Sequence, residues 1–367
     1  MLFVTNHAPA YRVGAFERLE ESERVEFALY GGRLQHGGGA TAPELPFPHR
    51  RVREHELYAL ATSGRYRAVV CSTGGRVALP ASWAGARRAR LPVILWASLW
   101  AHPHSATHAL SFLALRRLYR SADAVVTYGP HVSAYVGARG ARHVYVAQQS
   151  VDNAFWGSPD ITPPNPDVAW PNESNVTFLF AGRPTREKGL GVLFEAWSMS
   201  GLQAPTAALV LVGAGSTPPW VPAGGAVAGH VGESVVSVDR VSQVELRNFY
   251  AAADVLVVPS IPTATFREPW GLVVNEAMNR ALPVIASDAV GAAAGGLVRD
   301  GHNGAIVPAG DPVALSAALR RFAADPGLRA RLGQAGREDV SAYTHDAWAE
   351  GFSAALAHLG LSRETVR

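Results

Sequence analysis

The chain's single lysine, Lys188, stands in the run Ala181-Gly182-Arg183-Pro184-Thr185-Arg186-Glu187-Lys188-Gly189-Leu190, directly after the apolar segment Val176–Phe180. That puts Arg183 and Lys188 on the loop joining a strand to the next helix. Such a loop suits a diphosphate: arginine offers a planar fork for bidentate contact, lysine a compact charge, and Gly182 and Gly189 let the backbone approach closely. The plainer alternative is a solvated basic turn. Only one of 33 basic residues is lysine, and its falling in this loop by chance is on the order of a few per cent, so a ligand role is the better reading.

A second constellation is Arg267-Glu268-Pro269-Trp270-Gly271-Leu272-Val273-Val274-Asn275-Glu276. Pro269 and Gly271 resist a helix interior, whereas Leu272 to Arg280 has helical character, so a helix is expected to begin near Gly271. The free N–H groups at its start can hold a phosphate. Glu268 then lies on the loop and Glu276 about one turn into the helix, where the two carboxylates can address different parts of one ligand. Taken singly, Glu268 reads as a partner of Arg267 and Glu276 as a surface glutamate; taken with the basic loop upstream, both read as ligand contacts. Gly213-Ala214-Gly215 lacks the third glycine and the acidic residue of a dinucleotide fingerprint at the expected spacing, which disfavours a nicotinamide cofactor.

In the first half, the apolar run Val93–Ala97 leads into Ser98-Leu99-Trp100-Ala101-His102-Pro103-His104. Both histidines fall near a strand's C-terminal end, and the bland alternative is a loop histidine without chemistry. His102, His104 and His108 have no carboxylate or thiol beside them to complete a tetrahedral set, so no metal site is expected. Cys71, the one cysteine, reads as a small buried strand residue and excludes an intrachain disulfide. The stretch His108–Arg120 is helical, with Leu110, Leu113 and Ala114 on an apolar side and Arg116, Arg117 and Arg120 at its end. Those arginines complement a helix C-terminus, or else form a basic edge that rests on an anionic membrane surface and admits a lipid-linked acceptor.

These residues need elements to position them. At 367 residues with 48% hydrophobic and 17% charged side chains, the chain exceeds one ordinary domain. Short β-branched runs (Leu2–Thr5, Val25–Tyr30, Ala68–Ser72, Val93–Ala97, Ala124–Tyr128, His143–Ala147) alternate with helical stretches, as in a parallel α/β sheet. Residues 158–175 are proline-rich and polar, as befits a linker. The rhythm then resumes with Val176–Ala181, Ala208–Gly213, Asp254–Pro259, Pro283–Ser287 and Ala305–Val307, separated by helices such as Gly189–Met199 and Ser242–Ala253, with closing helices over 312–324 and 346–360. The expectation is two Rossmann-like domains, 1–160 and 176–345, a linker at 161–175 and a final helix in 346–367 returning to the first domain. Strand C-terminal ends would meet at a shared cleft; one larger α/β domain with an inserted linker is the alternative.

The C-terminal half resembles the retaining family 4 glycosyltransferases of GT-B fold over roughly residues 176–310. The resemblance is carried by Gly182-Arg183…Lys188-Gly189, Leu211-Val212-Gly213-Ala214-Gly215, Ala253-Asp254-Val255…Pro259-Ser260, Glu268 and Glu276 with seven residues between them, and Leu282-Pro283-Val284-Ile285-Ala286-Ser287-Asp288…Gly291. It implies an α/β chain of two Rossmann-like domains facing each other across a cleft. It further implies that Arg183 and Lys188 grip a donor diphosphate, Glu268 the transferred sugar and Glu276 the ribose hydroxyls. Backbone N–H groups near Gly271, Leu272 and Val273 would meet the distal phosphate, and Gly182, Gly213 and Trp270 would complete the donor site. A histidine, His102 or His104, would lie beside the reacting sugar. Transfer would retain configuration and need no cofactor or obligatory metal, the basic pair stabilising the leaving diphosphate.

The first domain departs from many relatives: Asn6-His7-Ala8-Pro9-Ala10-Tyr11-Arg12 replaces a glycine-rich loop, and Gln148-Gln149 stands where Pro-Asn is common before Val-Asp. Asn6, Tyr11 and Arg12 are the acceptor-side candidates. The expected partners are a nucleotide sugar, with uracil, guanine and adenine all open, and a glycan, lipid-linked or small-molecule acceptor. Scattered arginines disfavour nucleic acid. Met1 leads straight into Leu2-Phe3-Val4 without a basic leader, so the expected location is cytoplasmic, with peripheral contact at the inner membrane face as the sharper alternative. A sugar-nucleotide 2-epimerase and a non-catalytic sugar-nucleotide or glycan binder are the rival functions.

Overall fold

A computed structural model describes residues 1–31, 45–103, 106–160, 175–214 and 234–363. The expected linker, 161–175, falls outside these except for Asn175. The chain forms two compact units, Met1–Asp152 with Tyr343–Arg367, and Asn153–Ala342.

The first unit contains β1 (Leu2–Thr5), α1 (Ala10–Glu23), β2 (Glu26–Leu29), β3 (His49–Arg51), α2 (Glu56–Ala61), β4 (Val69–Ser72), α3 (Ala78–Arg88), β5 (Val93–Ala97), α4 (Ala106–Ser121), β6 (Ala124–Thr127), α5 (Pro130–Gly137) and β7 (Val144–Val146). Its seven strands run parallel in the order β3-β2-β1-β4-β5-β6-β7. A parallel sheet needs both faces covered, which is why its inner strands are continuous apolar runs. Residues of α2, α3 and α5 bury one face. The other is an aromatic layer in which Phe16 stacks on Phe27 at 4.5 Å and Phe3 meets Trp96 edge-on at 5.5 Å.

The second unit begins with α6 (Asn153–Gly157) and continues through β8 (Thr177–Ala181), a 3-10 turn (Arg186–Lys188), α7 (Leu190–Ser200), β9 (Ala208–Val212), β10 (Val235–Val238), α8 (Gln243–Ala252), β11 (Val255–Val258), α9 (Val273–Met278), β12 (Val284–Ser287), α10 (Gly291–Ala294), β13 (Gly304–Val307), α11 (Pro312–Ala324) and α12 (Pro326–Val340). Six parallel strands take the order β10-β9-β8-β11-β12-β13. Phe178, Leu193, Trp197 and Phe322 belong to its main core.

The last helix, α13 (His345–His358), is part of the first unit, where Trp348 and Phe352 fill the aromatic layer with no exposed surface. The units divide after Asp152 and after Ala342, whereas the sequence places boundaries at 160 and 345. The earlier division follows from α6: Trp156 packs edge-on against Tyr250 at 5.7 Å, and Asn279 donates to Asn153 Oδ1 at 2.9 Å, both within the second unit. No helix among the described residues is long and apolar enough to cross a membrane.

Candidate functional site

In both sheets the strand order reverses direction once, and there the loops leaving two adjacent strands diverge and open a crevice at the strand C-terminal ends. In the second unit the reversal lies between β8 and β11. The loop after β8 carries Gly182, Arg183 and Lys188; the loop after β11 carries Glu268. Their tips meet, Lys188 Nζ donating to Glu268 Oε2 at 2.5 Å, with the two side chains 21% and 10% exposed. Arg183 is exposed.

Close backbone contacts fix this geometry. Gly189 has φ +73°, and a Cβ there would stand 1.9 Å from Pro259 O, so the turn that presents Lys188 can rest on the end of β11 only with glycine. Ile261 N–H donates to Glu187 O at 2.9 Å, tying the same two loops again. Residues 268–270 are held by the chain entering α10: Glu268 forms a parallel bridge with Val290, and Ala292 N–H donates to Trp270 O at 2.7 Å. Gly291 permits this approach, since a Cβ there would meet Pro269 O at 2.0 Å. Gly182 and Gly213 adjoin at the tips of β8 and β9, where Gly182 N–H donates to Val212 O at 3.0 Å.

The helix expected to start near Gly271 starts at Val273, with Leu272 as its N-cap and Val274 N–H donating to Gly271 O at 3.0 Å. Glu276 is not the surface glutamate of the plainer reading. It is 8% exposed, Tyr250 Oη donates to its Oε2 at 2.8 Å, and burial pushes its carboxyl up to about 7, the tyrosine hydrogen bond opposing. Trp270 is 3% exposed and its indole N–H donates to Asn275 Oδ1 at 2.8 Å, so its side chain packs inside the loop.

In the first unit the reversal lies between β1 and β4, and a cavity of about 510 Å³ opens there. Asn6, Tyr11 and Arg12, the three acceptor-side candidates, all line it. They come from the loop after β1 and the first turn of α1, where Asn6 O accepts from Gly31 N–H at 2.7 Å. The sequence reading did not select His7, Ser72, Thr73-Gly74-Gly75, Trp96, Ser98 or Tyr128, which also line the cavity. The signal for one of these was present: the glycine pair Gly74-Gly75, one residue beyond the apolar run Ala68–Ser72.

His102 is not among the lining residues. It packs edge-on against Phe112 at 5.0 Å, and its Nδ1 is 3.5 Å from Tyr135 Oη. His104 lies outside the described residues. On α4, Leu113 is 69% exposed, with Ala114, Arg116, Arg117 and Arg120 exposed as well, so the helix turns Tyr119 inward and not Leu113.

Residues 175–325 match the family described as glycosyl transferases group 1. Over 120 residues the chain is 41% identical to a D-inositol 3-phosphate glycosyltransferase of Streptomyces bingchenggensis (strain BCW-1), covering 30% of this chain and 24% of that protein. A D-inositol 3-phosphate glycosyltransferase of Thermobifida fusca (strain YX) is 31% identical over 194 residues, 50% of this chain and 42% of that one. The matches thus span less than half the length of these relatives. Among solved structures, sucrose-phosphate synthase from Thermosynechococcus elongatus superposes with a TM-score of 0.69 at 21% identity over 98% of both chains. Anabaena HepE in complex with UDP-glucose does so with 0.68 at 16% identity, over 97% of this chain and 99% of that one. These findings bear out the resemblance to the family 4 glycosyltransferases and the GT-B fold.

Proposed function

We propose that the chain moves a hexose-type sugar from a nucleoside diphosphate sugar to an acceptor hydroxyl with retention of configuration. The observation that carries this reading is the Lys188–Glu268 pair at the strand reversal of the second unit, set in the segment that matches the glycosyl transferases group 1. A cation beside a carboxylate suits a ligand that is anionic at one point and hydroxylated at the next. With three N–H donors, the Lys188 ammonium can keep Glu268 and still reach a diphosphate, and Arg183 on the same loop adds a bidentate fork. Glu268 then orients the sugar hydroxyls and Glu276 the ribose. The UDP-glucose complex of the Anabaena neighbour supports a donor of this class.

In this reading Arg183 and Lys188 neutralise the charge that grows on the departing diphosphate, the part a divalent metal plays in other designs. The acceptor occupies the first unit's cavity. With no side chain assigned as a covalent nucleophile, the acceptor attacks on the face the diphosphate leaves, and the diphosphate oxygen takes its proton.

Lys188→Ala and Glu268→Ala are each expected to lower turnover of the true donor by about 100-fold or more, with the melting temperature near wild type. Turnover close to wild type in either variant overturns the assignment. The donor is found by thermal shift against a panel of sugar nucleotides, because ligand binding to the native state raises the melting temperature. Incubation with that donor alone separates transfer from epimerisation, which changes the sugar with no acceptor present.

A further inference from the structure

The first unit's cavity contains a buried cation without a counter-charge. Arg12 is 4% exposed. Its Nη2 donates to Gln149 Oε1 at 2.6 Å, while its Nη1 is buried without a hydrogen-bond partner. The rings of Tyr11, Trp96, Tyr128 and Trp348 surround the guanidinium at 5.4–5.7 Å. Among the described residues no carboxylate forms an ion pair with it.

The other titratable groups around the cavity do not pair with Arg12. Glu54 lines the wall, but its Oε2 accepts from Val77 and Ala78 N–H at 2.8 and 2.6 Å, capping α3. His345, bonded to Ser150 Oγ at 3.0 Å, is held below the usual imidazole range, chiefly by burial. The remaining titratable groups of the wall, His7, Tyr11, Tyr30 and Tyr128, include no carboxylate.

Withdrawing a guanidinium from water is unfavourable unless a partner replaces the lost hydration. Aromatic faces and one amide oxygen return only part of that. An oxyanion returns the rest, because it can take two parallel N–H bonds from the fork. The remaining wall suits a polyol: Ser72, Thr73 and Ser98 supply hydroxyls, Trp96 and Tyr128 supply flat apolar faces, and about 510 Å³ falls within the usual range of small-molecule sites.

We propose that this cavity selects an acceptor bearing an anionic group, a carboxylate or a phosphate, which pairs with Arg12 while its sugar-like hydroxyls meet the Ser72-Thr73 end of β4. The proposal rests on the assignment of the acceptor to the first unit.

The test is titration calorimetry of the whole chain with glucuronate, glucose 6-phosphate, glucose and inorganic phosphate. One or both sugar anions are expected to bind at least tenfold more tightly than glucose, and whichever does so identifies the carboxylate or the phosphate as the source. Arg12→Gln should bring that ratio close to one. Gln149→Glu should do the same while leaving Arg12 and its four rings in place, so the result survives if Arg12→Gln fails to fold. Glucose binding as tightly as the anions, phosphate binding when neither sugar anion does, no binding at all, or a preference that survives Gln149→Glu would each overturn the proposal. Transfer assays run in parallel separate the two ideas. Product from a neutral acceptor, unaffected by Gln149→Glu, sinks the anion site alone; an Arg12-dependent preference without transfer from any nucleotide sugar sinks the functional assignment alone.

Discussion

Glu276 shows what burial does to one carboxyl. Its folded-state value of about 7 stands above the ordinary 4.5, so the folded protein holds a proton that the unfolded chain releases. Its contribution to stability is therefore complete below about 4.5 and is lost as pH rises through 7, a swing on the order of 3 kcal/mol. Glu276→Gln should match the wild type in melting temperature near pH 4.5 and exceed it at pH 8, as read from thermal melts without nucleotide. Equal melting temperatures at pH 8 would contradict the burial argument. At this scale the placement of Arg183, Lys188 and Glu268 was legible because they are polar residues on loops that follow strands, and such loops gather at one end of a parallel sheet. The inward packing of Trp270 was not legible, because an aromatic residue in a loop can face either way, and here Asn275 five residues on captures its N–H. The packing of His102 on Phe112 and Tyr135 depends on how α4 and α5 sit and not on spacing.

Among elements, the inner strands were readable because a strand buried on both faces is written as an unbroken β-branched run; Val93–Ala97 has the same bounds in sequence and structure. The edge strand β3 escaped notice because His49-Arg50-Arg51 carries no apolar signal, and at an edge none is needed. Helix α12 was also missed, although Asp325 followed by Pro326 is a start signal and Asp325 does cap it, accepting from Leu328 N–H at 2.8 Å. The loops after β8 and β11 depend on contacts that only glycine allows. Gly189→Ala adds a methyl against Pro259 O at a left-handed φ and is expected to destabilise the second unit by about 2 kcal/mol or more. It should weaken nucleotide binding more than Gly191→Ala, where a Cβ meets nothing within 4 Å, and chemical denaturation alongside nucleotide titration checks the pair.

For the whole molecule, the alternation of strands and helices was visible in sequence, but the strand order was not, because hydrophobic runs do not state their neighbours. That order, shared by both sheets, is what sets the candidate sites where loops part. The terminal helix α13 completes the first unit's core, where Trp348 is fully buried among Phe3, Phe16 and Phe352. Trp348→Ala should cost about 3–5 kcal/mol, and calorimetry should show a lowered first-unit transition while the nucleotide-induced shift of the second unit persists. The Lys188–Glu268 pair has a further, practical consequence. As the chain holds no second lysine, an amine-directed reagent has one side chain to modify, and that side chain is the proposed donor-binding cation. Attaching the protein to a sensor surface or a dye through lysine would consume the very group whose occupancy is to be measured, whereas acylation of the Lys188 side chain, read apart from the α-amine of Met1, with and without nucleotide, reports the sites left unfilled.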